Sequence, residues 1–280
     1  MTRSITSGTR LLVVLGDPVE HSLSPVVQNA AFRETGVDGV YLALTCSEKD
    51  LPGFIGGIAR AGGGGNVTLP HKEKAASVLD ISSEAVLRTG ACNTFWGVDG
   101  KVHGDNTDVD GFGRALMSFL GHAPKGFRVL VLGAGGAARA ALVSLLDAEV
   151  SAIFLLNRTV DRARAVSRRI GGEKVRVVER AQEVEGLDFD LVVNTTRLGL
   201  SADDPLPVDL GLLSRAGAVM DLVYGPEATP FVRAAEALGI RAADGLEMLI
   251  QQGAVSFERW WDRPAPVEAM RGALRRVAGI

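Results

Sequence analysis

The sequence predicts an α/β protein of two domains, a mostly parallel α/β domain and a doubly wound Rossmann domain. Three observations predict it. Short apolar runs alternate with helical periods along most of the 280 residues, the pattern of a parallel sheet covered by helices. Near the middle, Arg128 to Leu132 reads as a buried strand that turns through Gly133-Ala134-Gly135-Gly136-Ala137 into a helix, as at a dinucleotide site. A hydrophobic content of 46% over this length is enough for two cores.

In chain order, Leu11 to Leu15 is a strand closed by Gly16-Asp17-Pro18, and Ser24-Pro25 opens a helix to about Thr35. Val40 to Thr45 follows as a strand, Leu51 to Ala61 as a helix, and Gly65 to Leu69 as a strand stopped by Pro70. Thr94 to Val98 and Lys101 to Gly104 flank Asp99-Gly100, a strong hairpin signal, so this sheet contains an antiparallel pair. A helix over Val109 to Leu120 leads into the glycine turn. Beyond it come a helix from Ala137 to Asp147 and strands at Ala152–Leu156, 174–178, 191–194 and 218–221, with helices near 159–170 and 228–238. The last two helices, Met248 to Trp260 and Val267 to Ala278, serve no further strand and are expected to fold back on the first domain. The expected division is 1–108 plus 245–280 for the first domain and 109–244 for the second.

At the glycine turn, Gly133 permits the sharp turn, Gly135 lets a pyrophosphate approach the backbone, and Ala138 allows helix and strand to pack closely. The helix N-terminus then faces the phosphates. The end of the next strand selects the cofactor. NAD sites usually place Asp or Glu roughly 20 residues beyond the glycines; here stand Asn157, Arg158 and Thr159, with Arg162 one turn later. Guanidinium groups match a phosphate through paired hydrogen bonds, so Arg158 and Arg162 are expected to hold the 2′-phosphate of NADP. Asp161 lies beyond the strand tip.

Composition excludes several functions. A net charge of −3 gives no global attraction to nucleic acid or anionic membranes. Two cysteines, Cys46 and Cys92, make no disulfide framework. His21, His71, His103 and His122 are too scattered for a metal site, so none is expected. No signal-like or membrane-length apolar run occurs, which predicts a soluble, cytoplasmic protein whose partner is a small molecule. No helix shows an unmistakable exposed apolar stripe, leaving monomer and homodimer both open.

The polar loops of the first domain carry the candidate chemistry. Ser22 and Ser24, beside Pro25 at a helix start, make a cradle for an anionic group, although Ser24 alone also reads as an N-cap. Asn66 and Thr68 share one face of a strand by period-two alternation. Lys72 follows in a first helical turn, a poor place for an unpartnered cation. Asp108 supplies its partner, with Thr107 free to cap the helix that follows. Such a carboxylate bonded to the lysine and to a substrate hydroxyl orders proton transfer. Asn93 and Asn66 add neutral donors for further hydroxyls.

Taken together, Ser22-Leu23-Ser24-Pro25, Asn66-Val67-Thr68 with Lys72, Cys92-Asn93-Thr94, Asn106-Thr107-Asp108, the glycine turn, Asn157-Arg158-Thr159, Asp221-Leu222-Val223-Tyr224 and Asp244-Gly245-Leu246 leading to Gln252 resemble the shikimate/quinate dehydrogenase family over almost the whole chain. The resemblance implies NADPH-dependent, reversible reduction of 3-dehydroshikimate to shikimate, a step toward chorismate and aromatic amino acids. It makes Lys72 and Asp108 the catalytic pair, Ser22 and Ser24 the carboxylate binders, and Asn66, Thr68, Asn93 and Gln252 the hydroxyl or ring contacts. Tyr224 becomes a residue of the cleft. Gly133, Ala134, Gly135, Gly136, Ala137, Asn157, Arg158, Thr159, Arg162, Thr195 and Gly245 become the cofactor side. Quinate or an aminated analogue is the alternative substrate, and a non-catalytic NADP-binding regulator the alternative class; the presence of both Lys72 and Asp108 argues against the regulator. Departures from the family pattern are Arg197 within Asn194–Leu200, Glu247 in place of a common glycine, and Trp260-Trp261-Asp262 in place of Trp-Thr-Gly.

Overall fold

The computed structural model describes residues 4–278 except 202, 214 and 226. Contacts divide them into two units: the residues up to Gly111 with those from Leu249 onward, and Phe112–Met248. The sequence places these boundaries at helix starts; the contacts place them inside two helices.

The first unit holds strands β1 (Arg10–Gly16), β2 (Gly39–Thr45), β3 (Gly64–Val67), β4 (Ile81–Ser82), β5 (Thr94–Val98) and β6 (Lys101–Asp105) in the order β2-β1-β3-β5-β6-β4. It also holds helices α1 (Ser24–Thr35), α2 (Leu51–Arg60), α3 (Lys72–Ala76) and α4 (Glu84–Thr89), and the start of α5 (Asp108–Leu120). The β5–β6 hairpin turns at Asp99 and Gly100, with φ of 51° and 75°, the left-handed pair that a two-residue hairpin loop needs. The strand expected over Gly65 to Leu69 runs over Gly64–Val67. Three short elements give no periodic signal in the sequence. In α4, Ser83 accepts a hydrogen bond from the Val86 amide and Gly90 closes the helix at φ 68°, while α3 and β4 are too short to show a period.

On one face of this sheet, Val13, Leu15 and Phe95 pack with Leu51, Ile55 and Ala59 of α2. On the other, Tyr41 and Phe32 stack with Phe257, Trp260 and Trp261 of the C-terminal segment. That packing is why the segment belongs to this unit, as its lack of a further strand implies.

The second unit is a parallel sheet of β7 (Arg128–Leu132), β8 (Ala152–Leu156), β9 (Val175–Val178), β10 (Leu191–Asn194), β11 (Ala218–Asp221) and β12 (Arg241–Ala243), in the order β12-β11-β10-β7-β8-β9. Helices α6 (Gly136–Asp147), α7 (Val160–Val166) and α8 (Pro230–Ala237) connect it. Helix α9 (Leu246–Trp261) begins in this unit, and α10 (Val267–Ala278) follows it in the first. Alternate residues face opposite cores: Val129, Val131, Leu191 and Val193 join α6 on one side, and Leu130, Leu132, Val192 and Phe231 form the other. Burial on both faces explains the unbroken apolar runs. The helix expected through Ile170 ends at Val166 and continues as a π turn over Ser167–Gly171.

Candidate active site

In the first unit, topology brings the polar loops to one end of the sheet. Strands β1 and β3 run parallel and end side by side, β5 runs antiparallel and begins there, and β6 returns to end there. Loops at the carboxyl ends of parallel strands are where such sheets bind ligands. Thr68 and Lys72 follow β3, Ser22 and Ser24 follow β1, Asn93 precedes β5, and Asp108 follows β6.

Lys72 is the first residue of α3, fixed by its carbonyl accepting the Cys92 amide at 2.8 Å. Its Nζ lies 2.6 Å from Asp108 Oδ2, with the two side chains 17% and 8% exposed, sheltered yet within reach of a ligand. Asp108 Oδ1 accepts from Asn93 Nδ2 at 2.8 Å. The amide of Asn93 can point only that way, because its Oδ1 accepts the Thr107 backbone amide at 2.7 Å and lies 2.9 and 3.1 Å from the Thr94 and Thr107 hydroxyls. Lys72, Asp108 and Asn93 therefore form one preorganised group.

Other residues stand differently from expectation. Asn66 is buried, and its amide is committed within the protein: Tyr41 donates to its Oδ1 at 2.6 Å, and its Nδ2 faces Asn93 O, Thr94 Oγ1 and Ser256 Oγ. It braces the site rather than presenting a free donor. Ser24 is the first helical residue of α1, not the N-cap, so its hydroxyl is not used in capping. Ser22 does have a local bond, its Oγ accepting the Ser24 amide at 3.3 Å. Thr107 precedes α5 but turns its hydroxyl to Asn93, Thr94 and Ser256. Thr68 is half-buried, packed so closely on Gly16 that a Cβ there would lie 2.4 Å from its methyl. Gln252, on α9, donates to Leu249 O at 2.8 Å and crosses α5 at Gly111.

Sequence reasoning misses the supporting residues Tyr41, Thr94, Ser256 and Arg259. Arg259 Nε lies 2.8 Å from buried Asp105 Oδ2, whose Oδ1 accepts from Ser83, which fixes the strand end before Asp108. His71 is buried with Nε2 2.6 Å from Cys46 O.

In the second unit the glycine turn fits a dinucleotide. Gly133 has φ +107°, and a Cβ on it would lie 2.7 Å from Thr195 Oγ1. A Cβ on Gly135 would meet nothing within 4 Å, so the space before the N-terminus of α6, which starts at Gly136, is open to a phosphate. Ala134 and Ala138 are buried and Ala137 is half-buried at the helix start. Of the nearby arginines, Arg164 is neutralised by Asp161 and Glu179. Arg162 is held by Nε donating to Ala134 O at 3.0 Å, which places it at the glycine turn. Arg158 is exposed just beyond β8, and Asn157 Nδ2 secures the bend by donating to Thr159 O at 2.8 Å.

Two residues expected on the cofactor side make close local contacts. The Thr195 hydroxyl donates to Leu132 O at 2.7 Å. At Gly245, a Cβ would lie 2.3 Å from Leu222 O, so only glycine allows the two backbone segments to approach. Tyr224 is half-buried after β11, and burial pushes its phenol pKa up. Among the described residues no group of three or more His, Cys, Asp or Glu is placed to hold a metal, and no helix is long and apolar enough to cross a membrane.

Asp221, fully buried at the end of β11, organises these loops by accepting from Asn194 Nδ2, the Val223 amide and the Thr229 hydroxyl. Burial raises its pKa, with Asp244 adding to the shift. A carboxyl raised in the folded state binds its proton more tightly there than in the unfolded chain, so its charge opposes stability above the folded value and the penalty fades as pH falls through it. The Tm of Asp221→Asn relative to the parent is therefore expected to rise as pH rises from the ordinary carboxylate value; a Tm difference independent of pH would contradict this.

Comparison with known proteins finds relatives along nearly the whole chain. Residues 14–95 match the shikimate dehydrogenase substrate binding domain, 118–197 match shikimate / quinate 5-dehydrogenase, and 245–275 match the shikimate 5'-dehydrogenase C-terminal domain. The shikimate dehydrogenase (NADP(+)) of Methanopyrus kandleri is 40% identical over 281 residues, covering 97% of each chain. The chain belongs to the shikimate dehydrogenase family. Among solved structures, shikimate dehydrogenase from Aquifex aeolicus superposes with a TM-score of 0.89 at 35% identity, over 97% of this chain and 100% of that one. The Thermus thermophilus enzyme in complex with NADP(H) and shikimate gives 0.86 at 38% identity, over 95% and 98%.

Within this family, the departures at Glu247, Trp261 and Asp262 have local explanations. Trp261 packs on Phe32 and under Arg10, whose guanidinium is 5.1 Å from its ring, and Gly39 makes room for it. Asp262 follows α9 at φ 47°, the conformation that favours glycine. Glu247 falls in the first turn of α9, where an acid suits the helix dipole. Arg197 is exposed on the loop after β10.

Proposed function

We propose that the protein is an NADP-dependent shikimate dehydrogenase that interconverts 3-dehydroshikimate and shikimate in the cytoplasm, as a monomer or homodimer. No nucleic-acid or membrane partner belongs to this reading. The observation that carries it is the sheltered Lys72–Asp108 pair held by Asn93, in a chain related at 40% identity to shikimate dehydrogenase (NADP(+)).

The residues divide the work. Ser22 and Ser24 take the ring carboxylate near the start of α1. Thr68, Asn93 and Gln252 contact ring hydroxyls, and Tyr224 is a further substrate-binding residue. NADPH bound at the glycine turn would supply a hydride for the ketone carbon. Lys72 gives its proton to the ketone oxygen and takes one from the hydroxyl in the reverse direction. Asp108 orients both the lysine and the hydroxyl, and Asn93 holds Asp108 in place. Arg158 and Arg162 take the 2′-phosphate, and Gly133 to Ala137 take the pyrophosphate. Thr159 and Gly245 shape the cofactor side through their backbone, and Thr195 through its hydroxyl on the Leu132 carbonyl.

Initial rates with shikimate and quinate, each with NADP and NAD, test the reading. Shikimate with NADP is expected to be the fastest combination. Faster turnover of quinate with NAD would reject both the substrate and the cofactor assignment.

A further inference from the structure

Ser256 takes no part in proton transfer, yet four elements meet at it. Its fully buried hydroxyl on α9 lies 2.9 Å from Asn66 Nδ2 of β3, 2.9 Å from Thr94 Oγ1 of β5 and 3.0 Å from Thr107 Oγ1 just before α5. Its own proton has an acceptor one turn back, the Gln252 carbonyl at 3.0 Å. Ser256 is fully buried, as are its chain neighbours Ala254, Val255 and Phe257, so the bonds of its hydroxyl must all be met within the protein.

We propose that Ser256 is a positioning residue that locks α9, and Gln252 with it, to the Asn93–Thr107–Asp108 segment. The proposal rests on Gln252 as a substrate contact and on Lys72–Asp108 as the proton couple. The three hydroxyls of Ser256, Thr94 and Thr107 close a triangle with sides of 2.9, 2.9 and 3.0 Å. Thr94 and Thr107 also reach Asn93 Oδ1, whose amide holds Asp108. Removing one corner frees the other two to re-pair and loosens Asn93. Helix α9 crosses α5 so closely at Gly111 that a Cβ there would lie 2.5 Å from Gln252 Cα. A shift of α9 is therefore felt three residues upstream, at Asp108.

Ser256→Ala and Thr107→Val, alone and together, test this on the full-length protein with shikimate and NADP. Ser256→Ala is expected to lower kcat/KM for shikimate about tenfold with a raised shikimate KM, while KM for NADP stays within about twofold. The double variant is expected to lose little more than the worse single one, because the two hydroxyls act through one network. Should Ser256→Ala fail to fold, Thr107→Val is read by the same split of the two KM values. A merely structural role predicts a lower Tm with kcat/KM within about twofold of the parent below the transition, or a uniform loss on both KM values, and either overturns the proposal. A parent without shikimate turnover removes the proposed function and this inference together, whereas an active parent with an unaffected Ser256→Ala removes this inference alone.

Discussion

Lys72→Ala is expected to lower kcat for shikimate oxidation about a thousandfold while shikimate and NADP still bind, since a positioned acid or base contributes on the order of 10²–10⁴ to rate. The lysine sits at the start of a five-residue helix with its side chain 17% exposed, so its loss removes a functional group and little packing. Asp108 keeps its bond from Asn93, which preserves the geometry proposed to receive the hydroxyl. Rate should therefore fall far more than affinity, the sign of an interaction used in the transition state. Steady-state kinetics paired with calorimetric binding of shikimate separate the two. Unchanged turnover would show that the proton goes elsewhere.

The second large effect concerns the cofactor. Arg158→Ala is expected to raise KM for NADP by roughly ten- to a hundredfold, the equivalent of losing charge-assisted bonds worth about 1.5–3 kcal/mol. KM for NAD, which lacks the 2′-phosphate, should stay within about twofold. Arg162→Ala should differ, because Arg162 also holds the Ala134 carbonyl in the glycine turn. Its removal is expected to weaken both cofactors, NADP the more. Neighbouring Arg164 serves as the control, since Asp161 and Glu179 already neutralise it. Equal weakening of NADP and NAD by Arg158→Ala would withdraw the 2′-phosphate assignment.

Much of this arrangement is legible in the chain because a strong local signal specifies it. The run from Arg128 to Leu132 is apolar at every interior position because both faces of β7 are covered, and Asp99-Gly100 supplies the backbone conformations of the hairpin. The pairing of Lys72 with Asp108 is legible from charge and loop position, although 36 residues separate them. What stays hidden depends on tertiary contact. Asn66 looks like a ligand donor in sequence, and only the approach of Tyr41, Thr94 and Ser256 shows that its amide is spent. Thr195 looks available until its hydroxyl is found on the Leu132 carbonyl. The signal for Ser256 is its place one helical turn after Gln252, and helical serines more often bond only their own helix.

The most direct measurement is a crystal structure of the complex with shikimate and NADP. The C3 hydroxyl oxygen should lie about 2.6–3.2 Å from both Lys72 Nζ and an Asp108 carboxylate oxygen, as proton transfer requires, with the ring carboxylate on Ser22 and Ser24. A ring seated elsewhere, or a C3 hydroxyl beyond reach of Lys72 and Asp108, would contradict the account.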